Sequence, residues 1–286
     1  MTRMALQKSD LVRLGLVSGT AVIMTGAGLF AGVTPWQAAM TLVGVAAYHV
    51  LTGLDARVPH VPCDYIQTGE AASGALALIV AALFVTGNPA VIAAIVFAVI
   101  LACQLFLRFI IAPDVREAAA SGAAVQAVIA VIAARIAWGT GDGFIGPAGQ
   151  ALAGLVPSLP AGPLAPALAL PAIAGCFALS RLLGPELASY AEGPEFCCRP
   201  GRSYGLMTAC LVAARCILVA IALLFSGWLC GIGQSTARLY RGALPGLFGF
   251  MALAAFSQAM LLISRAGGVF AGAACAYAAS YALFVL

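Results

Sequence analysis

The chain has 286 residues, 63% of them hydrophobic and 8% charged, with a net charge of +4 and a mean hydropathy of +1.06. That composition excludes a soluble globular domain. The small positive charge is accounted for by membrane orientation, and nucleic-acid binding is not needed to explain it.

A spanning helix needs about 20 largely apolar residues, and in hydrocarbon its backbone must satisfy its own hydrogen bonds. A barrel strand would alternate polar and apolar positions, whereas Ala90 to Cys103 is apolar on all sides. The expected fold is therefore all-α, a polytopic helix bundle forming one integral membrane domain over 1–286. Charges and Gly/Pro/Asn clusters divide the apolar sequence into nine spans, about 12–33, 35–54, 71–87, 89–111, 118–138, 164–183, 206–229, 243–263 and 267–286.

The first span follows Arg3, Lys8 and Arg13. It is longer than the apolar core of a secretory signal and lacks a small-residue cleavage site, so it reads as a retained helix. Gly87-Asn88-Pro89 separates the third and fourth spans, because Pro89 cannot donate to a continuing helix. The connection from Gly139 to Gly162 holds one charge, Asp142, and three prolines, Pro147, Pro157 and Pro160, and suits a re-entrant or surface-lying segment.

With a cytoplasmic N-terminus, Arg3, Lys8, Arg13, Arg57, Arg108, Arg116, Arg181, Arg199, Arg202 and Arg265 fall on the cytoplasmic side. Arg238 and Arg241 fall outside, and Arg135 and Arg215 lie within spans. This bias predicts a multi-pass cell (inner) membrane protein with its C-terminus outside. Arg135 is near enough to a span end to snorkel. Arg215 is deeper and should face the bundle interior or a wet cavity.

The nine cysteines show no C-x-x-C spacing. Cys103, Cys176, Cys210, Cys216, Cys230 and Cys275 lie in or at the ends of spans, where thiols pack as small apolar groups. Cys63, Cys197 and Cys198 fall in loops; with His49 and His60 they match no standard metal spacing.

The scarce charges gather in two stretches, about 55–70 and 181–205, both cytoplasmic in this orientation. The first carries Asp55, Arg57, His60, Asp64 and Glu70; the second carries Arg181, Glu186, Glu192, Glu195, Arg199 and Arg202. Acids in facing loops can hold Mg²⁺ between carboxylates and a diphosphate, while Arg neutralises phosphate oxygens. Ordinary solvated loops that enforce topology explain the same residues.

This arrangement resembles the UbiA superfamily of membrane prenyltransferases, which has about nine helices and acidic loops after helices two and six. Leu54-Asp55-Ala56-Arg57 resembles the end of the family's N-D-x-x-D-x-x-x-D motif, and Pro62 through Thr68-Gly69-Glu70 the segment that follows it. Arg181, Glu186, Glu192-Gly193 and Arg202 fall close to the second motif. The family's Asn and first two Asp positions hold Ala47, Tyr48 and Leu51 here. In the second loop Ser189 and Gly193 stand where acids are expected.

The resemblance implies an isoprenoid diphosphate substrate among membrane lipids and Mg²⁺ held by Asp55 and Glu192, which with Arg202 form the catalytic set. Arg57, Asp64, Glu70, Arg181, Glu186, Glu195, Arg199 and Arg215 would bind substrate. A relative that kept the helices without the chemistry fits the same residues.

Three further resemblances are local. Gly139-Thr140-Gly141-Asp142 is similar to the G-x-G-D of membrane aspartyl peptidases, but three spans separate it from Asp55. Pro200-Gly201-Arg202-Ser203 is similar to a phosphate-binding segment of undecaprenyl diphosphate phosphatases, and equally reads as a turn capped by Ser203. The last hundred residues, notably Ser235-Thr236-Ala237-Arg238-Leu239, resemble permeases of metal and siderophore importers. That likeness implies a transport or scaffold protein for a lipid-like or small metabolite.

Overall fold

The computed structural model describes residues 8–55, 74, 77, 89–106, 164–191, 203–239, 250–251, 253–259 and 261–263. The expected segments at 118–138 and 267–286, and most of 71–87, lie outside them. Among the described residues every regular element is a helix: α1 (Lys8–Phe30), α2 (Pro35–Asp55), α3 (Pro89–Phe106), α4 (Leu164–Leu182), α5 (Gly184–Ala191) and α6 (Tyr204–Leu239). A seventh, α7, comprises the helical residues described at 250–251, 253–259 and 261–263. Among the described residues three segments are long and apolar enough to cross a membrane, Pro35–Leu54, Ala165–Leu182 and Gly205–Gly227. Gly15–Phe30, Val91–Leu105 and Leu253–Ile263 are shorter apolar helices.

Local chemistry sets the helix ends. α1 closes as the Val33 amide donates to Gly28 O at 2.9 Å and the Gly32 amide to Leu29 O at 3.1 Å, with Gly32 at φ 90°. α2 then opens on a reciprocal cap: the Gln37 amide donates to Thr34 Oγ1 at 3.1 Å, and the Thr34 amide donates to Gln37 Oε1 at 3.0 Å. Pro35 occupies the first helical position, where no amide is needed. α3 starts at Pro89 for the same reason. Ser203 caps α6 by accepting the Leu206 amide at 3.3 Å, as the sequence suggested.

α2 packs chiefly against α6, with α3 also lying against α6 and α4 against α2. Lipid tails are as apolar as these side chains, so close packing and interhelical polar contacts hold such a bundle together more than solvent exclusion does. α2 and α6 come close at Gly44: a Cβ built there would lie 2.6 Å from Ser226 Oγ and 2.9 Å from the Ser226 backbone nitrogen. Tyr48, Leu51, Leu218, Leu223 and Leu261 fill the surrounding core.

Two elements differ from expectation. The stretch 181–205 begins with a helix, α5, joined to α4 through Leu183, whose amide donates to Leu179 O at 2.9 Å. Pro185 and Glu186 at its start favour helix initiation, and fully buried Leu187 pins it to the bundle. The span expected at 206–229 is longer in both directions and breaks at Gly227 (φ 72°, ψ 174°) into arms 204–226 and 228–239. That conformation is essentially restricted to glycine.

Candidate functional site

Several of the buried polar side chains lie on α2, α6 and α7, while Gln104, Ser180 and Ser189 are buried on α3, α4 and α5. On α2, Ala38, Thr41, Gly44, Tyr48 and Leu51 recur at helical spacing and are buried. Facing elements supply buried Ser226 on α6 and Ser257 and Gln258 on α7. Two of the hydroxyls are satisfied within their own helices: Thr41 Oγ1 donates to Gln37 O at 2.9 Å, and Ser226 Oγ donates to Ala222 O at 2.5 Å. Gln258 instead reaches across, its Nε2 donating to Ala38 O at 3.0 Å. His49 meets Phe250 edge-on, ring centroids 6.1 Å apart.

Among the described residues the buried cation is Arg215, 3% exposed, within the apolar segment Gly205–Gly227 and, eleven residues before Ser226, on nearly the same face of α6. It lies on α6 three turns before the break at Gly227. On the neighbouring helix Cys176 Sγ lies 4.0 Å from Ala214 O, which fixes α4 beside this turn of α6.

Of the residues expected from sequence to bind or react, Asp55 is the last residue of α2. Arg181 is exposed at the end of α4 with its guanidinium 5.1 Å from the Phe177 ring centroid, a cation–π placement. Glu186 is half-buried in the first turn of α5. Arg57, Asp64, Glu70, Glu192, Glu195, Arg199 and Arg202 lie outside the described residues, as do His60, Cys63, Cys197, Cys198, Arg135 and the Gly139–Asp142 segment. Cys103, Cys176, Cys210 and Cys216 are not joined in disulfides. Among the described residues, no three His, Cys, Asp or Glu side chains gather where they could hold a metal ion.

Gly44, Ser226 and Gln258 were not singled out from the sequence. Gln258 carries the one signal that could have found it, an amide side chain within an otherwise apolar span.

No protein-family model matches this chain, and no curated protein matches it. Among solved structures, a chain of PsaBC from Streptococcus pneumoniae in complex with Fab aligns with 86% of this chain and 88% of its own length. Its TM-score is 0.46 and its identity 11%, a likeness too distant to bear on fold or function.

Proposed function

We propose that this chain is a membrane transport component that passes a small metabolite along the polar seam between α2, α6 and α7. The observation that carries this reading is the burial of Arg215 inside an apolar segment long enough to cross the bilayer. A cation in that position is costly in hydrocarbon, and such residues mark substrate pathways in membrane bundles. The broken helix accompanying it is the feature from which many transporters build their sites near the bilayer centre.

The test is metabolite profiling by mass spectrometry of cells producing the chain, compared with cells producing Arg215→Gln at equal membrane levels. Loss of a specific accumulated or depleted solute in Arg215→Gln, with partial recovery in Arg215→Lys, is the expected outcome. Identical profiles for the native chain and Arg215→Gln would remove the basis of the proposal.

A second reading is prenyl transfer from a polyprenyl diphosphate in a nine-helix UbiA-like bundle. One arrangement favours it: α2, which ends on Asp55, packs against α4, which leads through Leu183 into α5 and Glu186. Arg side chains there would stabilise the leaving diphosphate while apolar helix faces exclude water from the allylic carbon. The described residues do not assemble a donor set for Mg²⁺, and no step is routed through the ion. Mg²⁺-dependent release of diphosphate that disappears in Asp55→Asn and Glu192→Gln would select this reading over transport.

A further inference from the structure

Two contacts tie α7 to α2 at different heights. His49 meets Phe250 edge-on, ring centroids 6.1 Å apart, and Gln258 Nε2 donates to Ala38 O at 3.0 Å. Along α2 these points are 49 − 38 = 11 residues apart, about 16 Å, and along α7 they are 258 − 250 = 8 residues apart, about 12 Å. Side-chain reach displaces a contact from the level of its own backbone by about one turn, about 5 Å. That is too little to interchange two points so far apart.

The packing around α7 holds both contacts in place. Leu253, Ala254, Ala255, Ser257, Gln258 and Leu261 are buried, and at about 100° per residue they cover more than half of the circumference of the helix. The Gln258 amide costs free energy in apolar surroundings unless it is bonded. Ala38, with no side chain beyond Cβ, leaves its carbonyl open to approach from the neighbouring helix.

We infer that α7 runs antiparallel to α2, with Phe250 toward the face on which α2 ends at Asp55 and Ile263 toward the face that holds the turn before Pro35. Counting five residues onward from Gln258 and five back from Ala38, 258 + 5 = 263 and 38 − 5 = 33, brings Ile263 near the level of Val33. The second and eighth of nine simple alternating spans would run the same way, so that alternation does not hold between α2 and α7. The charge reading put the exits of these two segments, marked by Arg57 and Arg265, on one face; antiparallel helices put them on opposite faces. The inference is independent of the transport reading, since it uses neither Arg215 nor the break at Gly227.

The experiment uses the full chain with its nine native cysteines replaced, each variant first shown to be monodisperse in detergent. Ala31→Cys, exposed in the turn before α2, and Gly53→Cys, where an added Cβ meets nothing within 4 Å, mark the two faces. A membrane-impermeant maleimide is applied to intact cells and to inside-out vesicles. Ile263→Cys is expected to label from the side that labels Ala31→Cys; labelling from the side of Gly53→Cys overturns the inference. If position 263 labels from neither side or from both, a short bis-maleimide decides the matter. His49→Cys must then crosslink to Phe250→Cys, and Ala38→Cys to Ala259→Cys. Failure of either pair, or crosslinking of Ala38→Cys to Phe250→Cys, also overturns it.

Discussion

The Nε2 of Gln258 donates a 3.0 Å hydrogen bond to the carbonyl oxygen of Ala38, joining α7 to α2 across 220 residues of sequence. The carbonyl has a second lone pair, so this bond does not compete with the backbone bond of α2. Gln258→Leu preserves most of the volume and removes the donor. Thermal unfolding in detergent should show a loss of about 1 kcal/mol, the usual scale of an interhelical hydrogen bond. An unchanged midpoint would mean that the contact contributes nothing to stability.

Gly44→Ala should destabilise the α2–α6 pair by about 1–3 kcal/mol, because the new methyl meets backbone as well as side chain of Ser226. A rotamer change moves the hydroxyl aside but leaves the nitrogen in place. Combining it with Ser226→Gly removes the side-chain part of the clash and should recover part of the loss. A double-mutant cycle with zero coupling would show that the two residues do not press on each other.

Gly227→Ala forces a Cβ onto a backbone at φ 72° and ψ 174°. The expected cost is about 1–3 kcal/mol, read as a lowered midpoint of denaturant unfolding while circular dichroism reports nearly native helix content. Equal stability of the two proteins would indicate that the break relaxes into continuous helix.

Thr34→Ala removes the acceptor that caps α2 and should cost about 1 kcal/mol. Hydrogen exchange should speed up at the amide of Gln37, which Thr34 Oγ1 holds at 3.1 Å. Exchange at Ser203, which caps α6, should not change.

Features set by neighbouring residues were legible in the sequence. Pro35 and Pro89 begin helices because a ring without an amide suits a first turn, and Ser203 caps α6 for an equally local reason. α5 was hidden because charges in so apolar a chain read as loop, and the burial of Leu187 that stabilises it depends on helices far away in sequence. The break at Gly227 was hidden too, since an isolated glycine in a span looks like any other small residue. Of the candidate site, Arg215 was marked by its charge inside an apolar run. The approach of Ser226 to Gly44 is set by tertiary packing, and neither residue type announces it.

α1 meets the described helices along a narrow line, Ala21 and Gly28, while Val12, Leu16, Val22, Ile23 and Phe30 stay exposed. Its attachment therefore depends more on the surrounding hydrocarbon than on the rest of the chain. In short-tailed micelles thinner than a bilayer, α1 will loosen while α2 and α6 stay together. Proteases will then trim solubilised preparations from that end, and long-chain detergents or nanodiscs are the media in which the whole chain keeps its shape.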